Sequence, residues 1–270
     1  MCGIVGWWRL ERFVDPAVLD RACDSLIHRG PNDRGVYVSK HVGLAMRRLS
    51  IIDLDSGSQP IWNEDRTKLI VFNGEIYNYR ELRRELLDCG HSFVTQSDTE
   101  AILHAYEEWG DDCPNHLQGM FAFAIWDVRN ERLFVARDRF GIKPLYYRFR
   151  DDELQFASEL KALHVFDSAS PELDVAATEQ FFTFLYVPGE GTLLRGVKKL
   201  LPGHSLVIER SKMSVKRWYR LPPQLLAPRV LSEERMVEES IAVLRQAVER
   251  HMISDVSLGA FLSGGIDSSI

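Results

Sequence analysis

The first half of the chain combines short apolar runs with amphipathic helical patterns. Residues 3–8 form an apolar run that predicts a first strand. Asp15 followed by Pro16 is typical of a helix start, with the aspartate as N-cap and the proline at the first helical position. Apolar residues then recur at helical spacing until Gly30 and Pro31 end the pattern. Further strands are predicted at 36–39, 42–46 and 68–72, and further helices at 79–87 and 99–109.

The second half is richer in strand patterns. Two runs at 120–128 and 132–137 flank a short polar turn and predict a β-hairpin. After the prolines between 221 and 228, Ser232 is predicted to cap a helix that runs to about Met252. Other strands are predicted at 145–149, 154–157, 205–208 and 214–218, a loop at 184–203, and a buried strand at 256–262.

This arrangement groups antiparallel hairpins around a few helices. It favours an α+β domain with two strand layers and helices outside over an alternating βαβ fold. The chain of 270 residues is long enough for one large domain or two ordinary ones. The change of pattern predicts a domain at 2–218, a linker at 219–231 and the beginning of a second domain at 232–270.

Composition excludes several classes of protein. Apolar residues make up 45% and charged residues 27% of the chain, and the net charge is −6, so we expect a globular protein that binds neither nucleic acid nor an anionic membrane. The longest apolar run, 120–126, is too short to span a membrane, and no signal peptide is predicted. The four cysteines and eight histidines show no metal-ligand spacing, so no metal site is predicted, and the expected location is cytoplasmic.

Cys2 is the first residue that suggests chemistry. If Met1 is removed, Cys2 carries both a thiol nucleophile and a free α-amine that is a usable base near neutral pH. This pairing resembles N-terminal-nucleophile variants of covalent catalysis. A small buried residue that begins the first strand is the alternative interpretation.

Three further positions each allow two interpretations. Asn73-Gly74 after a strand suits either a pair of oxyanion donors or an Asn-Gly turn. Arg48 suits either a bidentate clamp on a carboxylate or a solvated pair with Arg47. Asp98 suits either an N-cap or a carboxylate that binds an ammonium group. Considered singly, none of these residues decides between its two roles.

The small-residue loop at 263–268 follows the predicted strand at 256–262 and is expected to open a helix. Backbone N–H groups of such a loop can surround a pyrophosphate, although the loop lacks the lysine and the spacing of a P-loop. A turn between strand and helix without a ligand is the alternative.

Taken together, the motifs resemble glutamine-hydrolysing asparagine synthetases and occur in that family's order. The matching segments are Cys2-Gly3-Ile4, His28-Arg29-Gly30-Pro31, Arg48-Leu49-Ser50-Ile51, Asn73-Gly74-Glu75-Ile76-Tyr77-Asn78, Ser97-Asp98, Gly119-Met120-Phe121-Ala122-Phe123, the run 137–146 and the run 263–269. The resemblance implies a class II glutamine amidotransferase domain with an N-terminal-nucleophile hydrolase fold, a four-layer αββα sandwich. The truncated beginning of an α/β ATP-pyrophosphatase domain would follow it.

The resemblance also implies residue roles. Cys2 would be the nucleophile and its α-amine the base, acting through a water. Asn73 and Gly74 would form the oxyanion hole. Arg48 would hold the α-carboxylate of glutamine, and Glu75 and Asp98 its α-ammonium group. The remaining implied residues are Leu49, Ser50, Ile51 and Ile52 along the glutamine pocket and Leu262, Ser263, Gly264, Gly265, Asp267 and Ser268 at the ATP site.

In such an enzyme the ammonia released from glutamine aminates an ATP-activated aspartate, giving asparagine, AMP and pyrophosphate. Magnesium is expected with ATP, and no cofactor is expected for glutamine hydrolysis. Because the family implies a longer synthetase domain than 232–270, the chain is expected to be a fragment that at most hydrolyses glutamine. Amidation of another carboxylate, in polysaccharide or secondary-metabolite assembly, and a non-catalytic binding module are the alternatives. A homodimer is left open.

Overall fold

The structure is a computed structural model that describes residues 1–167, 170–223 and 231–269. The strands are β1 (Gly3–Arg9), β2 (Asp33–Val38), β3 (Val42–Arg48), β4 (Ile61–Trp62), β5 (Lys68–Ile76), β6 (Gly119–Asp127), β7 (Arg132–Arg137), β8 (Tyr146–Arg150), β9 (Glu153–Ala157), β10 (Lys198–Lys199), β11 (His204–Glu209) and β12 (Lys212–Arg217). The helices are α1 (Pro16–Asp24), α2 (Tyr79–Asp88), α3 (Asp98–Trp109), α4 (Cys113–His116), α5 (Leu160–His164), α6 (Val175–Phe184), α7 (Glu233–His251) and α8 (Ile266–Ser269).

Antiparallel pairing joins the strands into two six-stranded sheets. The first sheet has the order β10-β8-β9-β1-β3-β2, and the second has the order β12-β11-β7-β6-β5-β4. In the first sheet, Gly3 of β1 lies opposite Arg47 of β3. In the second sheet, Asn73 of β5 lies opposite Ala122 of β6. The strands that carry Cys2 and Asn73 therefore meet rigid neighbours on both sides.

Three apolar cores separate four layers. Alternation along β1 sends Ile4 into the core between the sheets and Val5 into the core beneath α1 and α5. A third core lies between the second sheet and helices α2 and α3, where Phe72 packs with Ile102. The order is helices, sheet, sheet, helices, which confirms the predicted αββα sandwich.

Some local predictions were wrong. Helix α1 ends at Asp24, before the predicted end near Ile27, and a series of turns follows it. Helix α6 was not predicted because it buries only Ala177 and so lacks an apolar stripe. Strand β5 does not end before Asn73 but continues to Ile76, since pairing with β6 over its whole length outweighs the local turn preference of Asn-Gly.

The C-terminal segment packs against the sandwich through the end of α7. Helix α7 begins after Ser232, whose hydroxyl accepts a hydrogen bond from the Arg235 backbone N–H, as predicted. The predicted strand at 256–262 is absent: these residues are exposed, and within the described ranges no strand pairs with them. The predicted linker at 219–231 falls largely on 224–230, outside the described residues, so the domain boundaries remain predictions. No described helix is long and apolar enough to cross a membrane.

Candidate active site

A polar cavity opens where the N-terminus, the loop after β3, the end of β5 and the start of α3 meet. Its empty volume is about 470 Å³, including space open to solvent, which is within the usual size of ligand pockets, roughly 300–1,000 Å³. All of the predicted glutamine-site residues line it except Ser50, whose backbone N–H instead donates to Asn32. The lining is Met1, Cys2, Arg48, Leu49, Ile51, Ile52, Gln59, Phe72, Asn73, Gly74, Glu75, Ser97, Asp98, Thr99 and Lys143.

The thiol of Cys2 is held by the backbone that follows β3. Pairing of β1 with β3 brings Cys2 beside Leu49, whose backbone N–H donates to Sγ over 3.3 Å, while the thiol lies 3.6 Å from the Leu49 carbonyl oxygen. Burial raises the pKa of the Cys2 thiol above its ordinary value, and the Leu49 contact only partly offsets this. The thiol is therefore neutral near pH 7, and nucleophilic attack by it needs a base.

Arg29 fixes the backbone of Cys2, a role that the sequence did not reveal. Its Nε donates to the Cys2 carbonyl oxygen over 2.8 Å, and its guanidinium is paired with Glu159 at 3.0 Å. Burial alone would raise the pKa of Glu159, but hydrogen bonds from Arg29, His28 and Lys161 outweigh it and lower the pKa to about 2. The only sequence signal was the His28-Arg29-Gly30-Pro31 motif, which carried no assigned function.

Arg48 is buried and is supported by its own loop. One guanidinium nitrogen donates to the carbonyl oxygens of Ile52, at 2.9 Å, and Asp53, at 2.6 Å. The C-terminal segment holds the same loop from outside, since the Asp53 N–H donates to the Asp255 carboxylate over 2.7 Å and the Asp255 N–H donates to Ile51. The solvated-pair interpretation of Arg48 is wrong, because only 4% of this residue is exposed.

Asn73 is the most unusual polar residue of the cavity. It is fully buried, yet neither its amide nitrogen nor its amide oxygen has a hydrogen-bond partner. A buried polar group without a partner costs roughly 1–3 kcal/mol, so natural proteins retain one mainly where it has a function. Its position on the cavity wall makes the amide available to a bound molecule.

The neighbouring Gly74 presents a backbone N–H on the same wall. Phe121 of β6, opposite Gly74, uses its own N–H and carbonyl on Asp138, so the Gly74 N–H points away from β6. The N–H groups of Phe72 and Ile76 point the same way and are taken by Gln59, at 2.7 Å, and Asp98, at 3.0 Å. The Gly74 N–H lies between them and faces the cavity. A Cβ at this position would lie 2.2 Å from the Met120 carbonyl oxygen, so a side chain does not fit.

Two carboxylates form the opposite wall. Ser97 is the N-cap of α3, so Asp98 is not needed as a cap; its carboxylate accepts from the Ile76 N–H. Burial, together with the nearby charge of Glu75, raises the pKa of Asp98 to about 7. Burial likewise raises the pKa of Glu75, although Lys143 opposes the shift. Both groups lack a counterion strong enough to keep them fully ionised, which suits them to bind a cationic ligand.

Lys143 is a cavity residue for which the sequence analysis assigned no role. It is 3% exposed, and burial lowers the pKa of its amine. The turn that presents it is built by Asp138, whose carboxylate accepts from the backbone N–H groups of Phe121, Phe140, Ile142 and Lys143. The run 137–146 that carries both residues was noted only for its resemblance.

The predicted ATP loop is separate from this cavity. Leu262, Ser263, Gly264, Gly265 and Asp267 are exposed, and α8 is a single turn. Gly264 adopts φ +77°, a conformation that suits glycine. The side chain of Ser268 lies outside the described part of the structure. The ATP-site assignments therefore remain predictions.

The sandwich and the N-terminal thiol at its cavity define the class of N-terminal-nucleophile amidotransferases. In agreement, the B. subtilis glutamine phosphoribosylpyrophosphate amidotransferase, solved with ADP and GMP, superposes with a TM-score of 0.59 over 81% of this chain and 49% of that chain, at 20% identity. A model described as "Glutamine amidotransferase domain" matches residues 1–219, and one described as "Asparagine synthase" matches residues 239–270. The chain belongs to the glutamine amidotransferase domain family.

Curated relatives extend the similarity over the whole chain. "Asparagine synthetase [glutamine-hydrolyzing] 1" of Bacillus subtilis (strain 168) is 42% identical over 274 residues, which cover 100% of this chain and 43% of that protein. "Amidase chry2" of Gibberella zeae is 37% identical over 256 residues, covering 93% of this chain and 37% of that protein. The chain thus spans less than half the length of these relatives.

Proposed function

We propose that the cavity hydrolyses glutamine to glutamate and ammonia. The observation that carries this proposal is the buried, unpartnered amide of Asn73 on the wall of the cavity that also holds the Cys2 thiol. An amide donor without a partner in the free protein is preorganised for a charge that appears only during reaction. The membership in the glutamine amidotransferase family supports glutamine as the substrate.

The charges of the cavity match the two ends of glutamine. The guanidinium of Arg48 is positioned for the α-carboxylate, and the carboxylates of Asp98 and Glu75 for the α-ammonium group. With these ends bound, the side-chain amide extends toward Cys2. Lys143 adds a buried positive group that balances Glu75.

The reaction needs a free amine at Cys2, so we expect Met1 to be removed. The α-amine then accepts the thiol proton, through a water, and Sγ attacks the amide carbon of glutamine. The oxyanion of the tetrahedral intermediate receives hydrogen bonds from the Asn73 side chain and the Gly74 N–H. Ammonia leaves with the proton returned by the amine, and water hydrolyses the thioester to glutamate.

We further propose that the ammonia aminates aspartate in the complete protein, as the name of the B. subtilis relative and the match at 239–270 suggest. ATP with magnesium would activate the acceptor carboxylate there. The loop at 263–267 suits contact with a phosphate group through its backbone, but the described residues provide only this one exposed face. No step on ATP is therefore derived from this chain.

The acceptor can be tested in a protein that carries this chain together with a complete synthetase region. With amide-¹⁵N glutamine, ATP and aspartate, we expect ¹⁵N-asparagine, AMP and pyrophosphate in equal amounts. The Cys2→Ala variant should lose this synthesis with glutamine and retain it with ammonium chloride. Transfer of ¹⁵N to another carboxylate but not to aspartate would contradict the proposed acceptor.

Asp98 should make glutamine binding depend on pH. Its pKa of about 7 means that the carboxylate takes up a proton as the pH falls through neutrality, so the KM for glutamine should rise below pH 7 and level off above pH 8. Asp98→Asn should raise the KM about 10- to 100-fold at pH 8, since a hydrogen bond to a charged group is worth roughly 1.5–3 kcal/mol, and should flatten this pH profile.

The matched control is Asp127→Asn, a buried carboxylate at the far end of β6. It should leave the KM and its pH profile unchanged. A wild-type KM that stays constant from pH 6 to pH 8 would contradict the role of Asp98 in binding the ammonium group.

A further inference from the structure

A second polar cluster lies on α3, distinct from the cysteine cavity. His91, His104 and Glu107 place donor atoms within 4.8 Å of one another. None of the three lines the cavity of Cys2. We propose that this cluster is a binding site for a divalent transition metal ion, with zinc as the preferred ion.

Both imidazoles direct the same nitrogen at one carboxylate oxygen. Nδ1 of His104 lies 2.7 Å from Oε2 of Glu107, and Nδ1 of His91 lies 3.8 Å from the same atom. Zinc sits about 2.0–2.2 Å from histidine and carboxylate ligands, which places tetrahedral donors roughly 3.4 Å apart. Rotations of less than about 1 Å at the donor atoms would bring this set to that geometry.

The outer groups have the arrangement that metal-binding histidines require. The other ring nitrogen, Nε2, faces a carboxylate in both cases: Glu108 at 3.2 Å from His91 and Glu100 at 3.7 Å from His104. Such carboxylates fix the tautomer and orient the ring of a ligating histidine. Nε2 of His104 is buried and makes no hydrogen bond, as expected if it is oriented toward Glu100 only after Nδ1 has bound a metal ion.

Glu107 is oriented in the same way. Its Oε1 accepts from Asn63, at 2.7 Å, and from Lys68, at 3.5 Å, which leaves Oε2 directed at the imidazoles. Glu64 lies 4.0 Å from Nδ1 of His104 and is about half exposed, so it or a water can be the fourth ligand. Carboxylates outnumber imidazoles in this cluster, which favours a cation.

The cluster without metal already holds positive charge. Burial alone would lower the pKa of His104, but Glu100 and Glu107 outweigh it and raise the pKa to about 9. A dication can replace this proton, with loss of the proton to solvent. The ion would join the turn after α2 to α3 and to the β4–β5 turn, so it should stabilise the α2–α3 layer. The sequence concealed the site because its ligands come from separate elements.

Zinc titration with a competing chelator tests the proposal. The background is Cys2→Ala with Cys89→Ser, because these two thiols are accessible whereas Cys23 and Cys113 are buried. We expect one zinc ion per chain and a higher Tm with zinc. Cobalt(II) should show d–d absorption without a thiolate charge-transfer band, as nitrogen and oxygen ligands require.

Three substitutions make the test specific. His91→Ala and the near-isosteric Glu107→Gln should each weaken zinc binding more than about 100-fold, and Glu108→Gln, which removes only an outer contact, about 10- to 100-fold. His164→Ala, an exposed histidine on α5, should bind zinc like the background protein. Absence of saturable zinc binding, or equal binding by the His91→Ala and Glu107→Gln variants, both checked for an unchanged metal-free Tm, would overturn the site.

Discussion

Replacing Cys2 by alanine is expected to lower the rate of glutamate release from glutamine by at least about 10³-fold, because loss of a catalytic nucleophile has effects of that size or larger. No thioester can form without Sγ, and no other cysteine lines the cavity. The fold should be retained, since Sγ contributes only its contacts with Leu49 to the structure. Glutamate release, measured with saturating glutamine, checks the prediction.

The matched control is Cys89→Ala, which changes an exposed cysteine and should leave the rate unchanged. A glutamine-like electrophile should form a covalent adduct at Cys2 and at none of Cys23, Cys89 and Cys113. Intact mass should show that Met1 is absent from active protein. Equal rates for Cys2→Ala and wild type would refute the nucleophile, whereas full activity with Met1 attached would refute only the α-amine as its base.

Asn73→Ala is expected to lower kcat for glutamine by about 10²–10³-fold with little change in KM, because removal of one oxyanion donor has effects of this size. The effect falls on kcat because the donor acts on charge that exists only in the transition state. The Tm should stay the same or rise, since the amide has no hydrogen-bond partner to lose.

Asn63→Ala is the informative counterpart. This buried amide is fully bonded: its oxygen accepts from the N–H groups of Thr67 and Lys68, and its nitrogen donates to Glu107. It should therefore lose stability and keep kcat, the opposite of Asn73→Ala. A stability loss in Asn73→Ala with an unchanged kcat would show that Asn73 is structural and would contradict the oxyanion assignment.

The layered fold was predictable because sheet alternation and helical spacing are local properties. Residues 3–8 and the hairpin at 120–137 were identified from alternation and turn residues alone. The failures occurred where a distant partner overrides the local preference. Asn73-Gly74 resembles a turn in isolation, yet β6 extends the strand through it, and the apolar run at 256–262 has no partner strand in the described part of the chain.

The site shows the same division. The resemblance assigned roles to Cys2, Arg48 and Asn73, and the structure places these residues around one cavity. Arg29 and Lys143 were visible only as members of motifs, because their importance lies in contacts with Cys2 and Glu75 across long separations. The pKa of Asp98 could not be read from the sequence either, since it depends on burial and on the nearby charge of Glu75.

By itself, the sequence determined the layered class, the helical and strand periods, the family resemblance and the residue types that can do thiol chemistry, all of which depend on near neighbours or on ordered motifs. Only the tertiary structure decided that the amide of Asn73 is buried without a partner, that the Gly74 N–H points into the cavity, and that His91 meets His104 and Glu107. Those facts arise from strand pairing and helix packing between residues far apart in the chain, which no local pattern encodes.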